Sequence, residues 1–260
     1  MRVRLLALIL VFAAASARAD LFGCNDSAAR RVSAPAAGVT RVVVIGRAGS
    51  LRISGRAGAR DVVATGTACA SSKSLLNDIQ LRSQQNGSDL RIEAVIPEHS
   101  GFFFGAGEAK LDFEVTVPES IALDVRDGSG ELVIENVGDL KVDDGSGELT
   151  IRGVHGNASV TDGSGALTVA DVSGDLRIHD GSGAIEIERI GGNVVIDDGS
   201  GGISVRNVQR SVTIEDDGSG SVDVNDVRGD FTVESKGSGS VDYERIGGKV
   251  SVPRRHRHRD

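Results

Sequence analysis

Apolar and polar residues alternate in short runs between positions 121 and 252. The apolar positions of one such unit are Leu167, Val169, Val172, Leu176 and Ile178. A period of two predicts short β-strands with one buried face, and the Gly-containing step at Ser173-Gly174 predicts a turn between two strands. No proline interrupts the chain between Pro118 and Pro253, as continuous strand pairing requires. Each unit is therefore predicted to hold two short strands.

A Gly-Ser-Gly motif separates these units and recurs at a nearly constant spacing. Its seven copies begin at Gly128, Gly145, Gly163, Gly181, Gly199, Gly218 and Gly237, which lie 17 to 19 residues apart. Such a period is typical of solenoids, in which single coils cannot bury their apolar face alone but stacked coils share one core. The sequence predicts an all-β fold: a single-chain β-solenoid (β-helix) over residues 111–252, with about seven coils of about 18 residues.

Residues 20–110 lack the repeat and are predicted to form an irregular, β-rich N-terminal cap. Short strands are expected at residues 41–45, 50–54 and 61–65, followed by one or two helical turns within residues 71–78. Asn86-Gly87 between two alternating segments predicts a β-hairpin. A cap of this kind would cover the open edge of the first coil.

The first 19 residues have the features of a secretory signal peptide. Arg2 and Arg4 precede a short apolar run from Leu5 to Ala17, and Ala17-Arg-Ala19 fits a cleavage site. The run is too short for a membrane span. We therefore expect export to the periplasm or cell surface of a bacterium.

Export also bears on the two cysteines, Cys24 and Cys69. An oxidising compartment favours a disulfide between them. A second interpretation is lipid attachment at Cys24, because Leu21-Phe-Gly-Cys24 has some likeness to a lipobox.

The charge is unevenly distributed along the chain. The totals are 29 Lys and Arg and 37 Asp and Glu. Without the three arginines of residues 1–19 and the four arginines and one aspartate of residues 253–260, 22 basic residues face 36 acidic ones, a net charge of −14. A body this acidic argues against a nucleic-acid partner, because phosphate contacts require Lys and Arg. It suits cations or basic partners.

One run of residues resembles a known family. Residues Val115 to Gly130 read Val-Thr-Val-Pro-Glu-Ser-Ile-Ala-Leu-Asp-Val-Arg-Asp-Gly-Ser-Gly, and coils of the form Gly-x-Leu-x-Ile follow. This run resembles the bacterial putative-adhesin β-strand-repeat family, an uncharacterised group of envelope proteins. The resemblance implies a solenoid fold and an envelope setting. It supplies no catalytic residues.

Six of the seven Gly-Ser-Gly motifs follow an aspartate, and stacking would align these residues in one column. They are Asp127, Asp144, Asp162, Asp180, Asp198 and Asp217, whereas Lys236 precedes the seventh motif. In one interpretation each carboxylate accepts hydrogen bonds from the following backbone N–H groups and stabilises its own turn. In the other, Ca²⁺ bridges neighbouring coils, because hard cations bind carboxylate oxygens. No other cofactor or metal is predicted.

Two segments are candidates for contact with a partner. Phe102, Phe103 and Phe104 lie between glycines, where they could cover the first coil or form an exposed apolar tip. The basic tail, residues 253–260, contains Arg254, Arg255, Arg257 and Arg259. Its charge could discourage edge-to-edge pairing, or contact anionic lipid head groups or an acidic partner.

The short, uniform coils predict a non-catalytic cell-envelope protein that serves as an adhesin-like interaction or structural module, with an unknown envelope protein or polymer as partner. A glycan-binding or envelope-polymer-binding module is the alternative within binding, although the chain has one Tyr and no Trp. A polysaccharide-active β-helix enzyme is the alternative from another class. Such an enzyme would need a cleft lined by unlike catalytic groups, and no long insertion in the repeats provides one.

Overall fold

The computed structural model of the protein describes residues 24–97 and 109–253. Two 11-stranded sheets run along the molecule, and successive strands of the repeats alternate between them. Within the repeats, neighbouring strands of each sheet are parallel. The chain therefore winds around a shared interior, and the predicted all-β solenoid of about seven coils is confirmed.

The N-terminal region contains seven strands and one short helix: β1 (Asp26–Pro35), β2 (Arg41–Ile45), β3 (Leu51–Arg56), β4 (Asp61–Ala70), α1 (Lys73–Asp78), β5 (Gln80–Asn86), β6 (Asp89–Val95) and β7 (Ala109–Pro118). The repeats contain the remaining strands: β8 (Ala122–Asp127), β9 (Gly130–Val137), β10 (Leu140–Asp144), β11 (Gly147–Val154), β12 (Ala158–Asp162), β13 (Gly165–Val172), β14 (Leu176–Asp180), β15 (Gly183–Ile190), β16 (Val194–Asp198), β17 (Ile203–Val208), β18 (Val212–Asp217), β19 (Val222–Val227), β20 (Phe231–Val233), β21 (Val241–Ile246) and β22 (Val250–Ser251).

Equivalent side chains of successive coils stack directly on one another. In one sheet Val142 of β10 is in register with Val125 of β8 and Val160 of β12. Because the side-chain period of a strand is two, this register keeps every apolar residue on the inner face. In every coil but the last, the five predicted apolar positions are buried, and together they form one continuous core.

The corner that joins each shorter strand to the following longer strand, such as β12 to β13, depends on the second glycine of Gly-Ser-Gly. At Gly165 the backbone φ is +142°, a conformation that side chains disfavour. A Cβ atom there would also collide with the carbonyl oxygen of Gly147 in the preceding coil. Close stacking of the corners therefore requires glycine.

A second conformational feature lies near the end of the longer strand in each coil. Asn136, Asp171 and Asn207 have φ values between 56° and 60°. Asn and Asp tolerate this left-handed conformation better than other residues with side chains. The local turn of the backbone brings the following apolar residue, such as Val172, to the interior.

The N-terminal region closes one end of the stack, as predicted. β2 and β3 pair in parallel with β8 and β9, so residues 41–56 form a further coil of the same solenoid. β6 and β7 form the next layer outward. Antiparallel strands β4 and β1 extend one sheet, and β5 extends the other through the predicted hairpin. The cap therefore includes one true coil beneath its irregular outer layers.

Several predicted features lie outside the described residues. These are the signal peptide, the Phe102–Phe104 segment and the four tail arginines. Within the described ranges, no helix has the length and apolar character needed to cross a membrane.

Candidate functional site

The aspartates that precede Gly-Ser-Gly lie on the inner face of the solenoid. In β10, Leu140, Val142 and Asp144 are buried, whereas Lys141 and Asp143 are exposed. Asp144 therefore continues the inward alternation of the strand by one more step. Strand pairing aligns the equivalent residues in a single file, called here the aspartate column: Asp127, Asp144, Asp162, Asp180, Asp198 and Asp217.

The carboxyl groups of the aspartate column are removed from water. The six residues are between 0% and 8% exposed. Nine of their twelve carboxyl oxygens are buried without a hydrogen-bond partner. N–H groups of the following corner lie near these oxygens, but among the described residues the Ser200 N–H alone has the geometry of a hydrogen bond, to Asp198 Oδ1 at 3.1 Å. The carboxyl groups are turned toward the interior, and the corner does not satisfy them.

Burial raises the pKa of five of these carboxyl groups. The pKa of Asp127 rises to about 7, first through loss of hydration and then through the neighbouring charge of Asp144. The pKa values of Asp144, Asp180 and Asp198 rise to about 6 for the same two reasons. The pKa of Asp162 is also raised by burial. Nearby corner N–H groups lower each value in part, without offsetting the effect of burial.

The two ends of the aspartate column differ. At the cap end Gly46 takes the equivalent position in the coil formed by β2 and β3, and a Cβ atom there would collide with Asp127 Oδ1. At the other end Lys236 takes the position of the aspartate and forms an ion pair with Asp217 Oδ2. Lys236 Nζ also donates to the Gly220 carbonyl oxygen at 3.0 Å. The lysine side chain is 8% exposed, so this ion pair is buried.

The described residues contain no group of three His, Cys, Asp or Glu side chains arranged to hold a metal ion. The column places its carboxyl groups one above another instead of around a common point. Calcium between the coils stays a prediction.

A second column of polar residues lies at the turn that follows each longer strand, such as the turn between β13 and β14. Here each side chain accepts a hydrogen bond from the backbone N–H of the equivalent residue in the next coil. Asp139 Oδ1 accepts from the Asn157 N–H at 2.8 Å, and Asn157 Oδ1 from the Asp175 N–H at 2.9 Å. The members of this turn ladder are Asp139, Asn157, Asp175, Asn193, Ser211 and Asp230. The sequence analysis missed this ladder, although short polar side chains recur at that position.

Acidic residues on the outer surface differ in ionisation from those of the aspartate column. Arg189 contacts Asp171 of the preceding coil, with Nε and Oδ1 2.6 Å apart, and Arg245 contacts Asp226 in the same way. These hydrogen bonds lower the pKa of both aspartates. The surface carboxylates in these pairs are therefore held ionised, in contrast to those of the interior.

The two ends of the solenoid differ: one is closed by the cap, and the other is open. At the cap, Cys24 and Cys69 form the predicted disulfide, with Cα atoms 5.7 Å apart. This bond joins the start of the described chain to β4. At the other end β21 and β22 are the last strands of their sheets, and Tyr243 is 47% exposed at a position that faces the core in other coils. This end of the described chain is open.

Comparison with solved structures finds similar chains of low identity. A putative lipid binding protein from Parabacteroides distasonis is 17% identical, with a TM-score of 0.49, over 89% of this chain and 98% of that one. A putative adhesin from Bacteroides fragilis is 14% identical, with a TM-score of 0.44, over 89% and 99% of the two chains. These values are too low to transfer a function. No curated protein matches the chain.

The comparison with protein families is more informative. The family model described as Toastrack DUF4097 matches residues 54–259, which include all seven Gly-Ser-Gly corners. This match confirms the resemblance predicted from the sequence. Because it covers well over half of the 260 residues, the chain belongs to the Toastrack DUF4097 family.

Proposed function

We propose that the protein is an exported, non-catalytic module of the bacterial cell envelope that binds an external partner in the manner of an adhesin. The family assignment and the regular solenoid support this proposal. The observation that carries it is the distribution of carboxyl groups between the interior and the surface.

A polysaccharide-cleaving enzyme needs a carboxyl group that is both accessible to the polymer and protonated near neutral pH. The carboxyl groups with strongly raised pKa belong to the aspartate column, where no polymer can reach them. On the outer surface, Asp171 and Asp226 are accessible, but arginines lower their pKa. This separation favours binding over catalysis.

The two candidate contact segments begin at opposite ends of the stack. Residues 98–108 connect β6 to β7 in the cap, and residues 254–260 follow β22 at the open end. Nine strand spacings separate β6 from β22, which corresponds to roughly 40 Å. We infer that the solenoid is a rigid spacer and that Phe102–Phe104 and the tail arginines contact the partner or a membrane surface.

A pull-down from a bacterial envelope fraction tests this proposal. The mature chain serves as bait beside a variant in which Phe102, Phe103 and Phe104 are replaced by Ser, and another that lacks residues 254–260. Controls replace the three Phe by Leu and the four tail Arg by Lys, which keep the apolar character and the charge. We expect capture to fall in the first two variants and to persist in the controls, with unchanged thermal unfolding.

Two results would count against the proposal. If both variants capture the same material as the unaltered chain, these segments are not the contact surfaces. If the purified chain releases reducing ends from envelope polymers, the protein is an enzyme.

A further inference from the structure

Among the residues that the structure describes, the interior of the solenoid contains more acidic groups than the buried Lys236 can neutralise. Six aspartates line the aspartate column, and Lys236 forms an ion pair with the last of them, Asp217. Asp144, Asp162 and Asp180 have no hydrogen-bond partner on either oxygen, and each is at most 2% exposed. A buried, unpaired carboxylate is strongly unfavourable, so these groups must take up a positive charge.

Neighbouring carboxyl groups are spaced suitably for sharing protons. Adjacent strands lie about 4.8 Å apart. A carboxyl group is about 2 Å wide, so oxygens of successive coils can approach to about 2.6–2.8 Å when the groups align with the stack. A protonated Asp144 can therefore donate its O–H to the carboxylate of Asp127 or Asp162.

The same geometry suits a metal cation poorly. Calcium takes six to eight oxygen ligands, and only the carboxyl groups of two adjacent coils can reach one ion between them. The backbone carbonyls at the corners are already used, because Asp127 O accepts from the Gly145 N–H at 3.1 Å and Asp144 O from the Gly163 N–H at 2.9 Å. A proton needs only one donor oxygen and one acceptor oxygen.

We propose that the aspartate column is a proton-binding site: in the folded protein at mildly acid pH, buried carboxylic acids alternate with carboxylates, each acid donating its O–H to the next coil. The protons come from solvent during folding, and each acid ionises and returns its proton to solvent when the coils separate. This inference does not depend on the proposed function.

The charged groups around the column are few. On the same strands Arg126, Asp143, His179, Asp197 and Asp216 directly precede column residues, and Lys236 lies at the end of the column. Asp143 and Asp197 raise the pKa of their inward neighbours slightly, whereas His179 lowers that of Asp180. At the cap end Arg47 follows Gly46. The facing sheet presents apolar side chains: Leu132, Leu149, Leu167, Ile185, Ile203 and Val222. The raised pKa values of the column agree with such surroundings.

The test is a pH titration of the aspartate side-chain carboxyl carbons by ¹³C NMR on the folded mature chain. Four carboxyl groups, those of Asp127, Asp144, Asp180 and Asp198, are expected to titrate near pH 6–7, well above the ordinary value of 3.8. Asp144→Asn should remove one of these midpoints and lower that of Asp127, because the neighbouring charge is gone. The matched control Asp143→Asn changes the adjacent outward residue and should leave all four midpoints raised.

If every aspartate of the unaltered chain titrates below pH 5, the proposal is wrong. The unaltered chain alone decides this point, whether or not Asp144→Asn folds. A parallel titration with CaCl₂ and with EDTA separates the metal alternative. Carboxyl shifts that follow calcium instead of pH would overturn the proposal, whereas shifts that ignore both additions and follow pH would support it.

Discussion

Replacing Lys236 by Met tests whether the end of the aspartate column is a buried ion pair. Met retains the length and the apolar stem of the side chain but removes the only basic group of the column. The Asp217 side chain, which is fully buried, then loses its ion-pair partner. The Gly220 carbonyl also loses the donor that lies 3.0 Å away.

The expected cost follows from the burial of the pair. Breaking a buried ion pair by removing one partner typically costs about 3–5 kcal/mol, because an uncompensated charge remains. We expect a loss of this size in the free energy of unfolding at pH 8.

Urea unfolding followed by far-UV circular dichroism at pH 8 measures this loss. Lys249→Met is the matched control, because Lys249 lies on the following turn and is exposed. Exposed ion pairs and charges contribute about 0–1 kcal/mol. If Lys236→Met destabilises the protein no more than Lys249→Met at pH 8, the buried ion pair does not stabilise the solenoid as argued.

Three further predictions concern the parts that hold the coils together. Gly165→Ala should lower the midpoint of thermal unfolding far more than Gly87→Ala, because a Cβ at Gly165 meets the Gly147 carbonyl whereas Gly87 has open space around it; equal effects would contradict the close stacking of the corners. Asn157→Ala should cost about 1 kcal/mol in urea unfolding by leaving the Asp175 N–H without its acceptor, and an unchanged midpoint would show that the turn ladder is dispensable. Reduction of the Cys24–Cys69 bond, which closes a loop of sequence separation 45, should cost up to about 4 kcal/mol of cap stability; intact-mass analysis of the unreduced chain checks that Cys24 carries no lipid.

The sequence predicted the regular part of this fold because its signals are local and repeated. Alternation identified the strands, and Gly-Ser-Gly identified the corners. The hairpin at Asn86-Gly87 and the helical turn that ends at Asp78 were also predicted, because both depend on short-range preferences.

The order of the coils in the cap could not be predicted from such local signals. Residues 46–49 form an eighth corner, in which Ala48 pairs with Ser129, but Gly46-Arg-Ala-Gly49 lacks the Asp and Ser that mark the others. The coil formed by β2 and β3 also lies between layers that come later in the chain. Such pairing depends on long-range contacts that no local period records.

The orientation of the aspartates was the main difference from expectation. The alternation Leu140-x-Val142-x-Asp144 places Asp144 on the inner face, but the high cost of burying a carboxylate argues against that position. Stacking changes the balance, because an aligned neighbour can share a proton. The alternation of apolar residues therefore already placed Asp144 on the inner face. Whether a carboxyl group can lie there depends on the register between coils, which aligns it with its neighbours.

The central claim is that the aspartate column binds protons in the folded state. The pKa values of Asp127, Asp144, Asp180 and Asp198 are raised, so protonation stabilises the folded state: the contribution is complete below about pH 3.8 and is lost as pH rises through about 6–7. A shift of about two pH units corresponds to roughly 3 kcal/mol for one carboxyl group, and coupling between neighbours makes the sum smaller than that of independent shifts.

The surface aspartates with lowered pKa contribute in the opposite direction, but only below their ordinary range. Between pH 5 and pH 8, the change in the free energy of unfolding therefore reflects the aspartate column and not these surface aspartates. The most direct measurement is the free energy of unfolding of the mature chain across this interval, by urea titration at fixed ionic strength. The account predicts that stability falls by several kcal/mol from pH 5 to pH 8, whereas a flat or rising profile would contradict it.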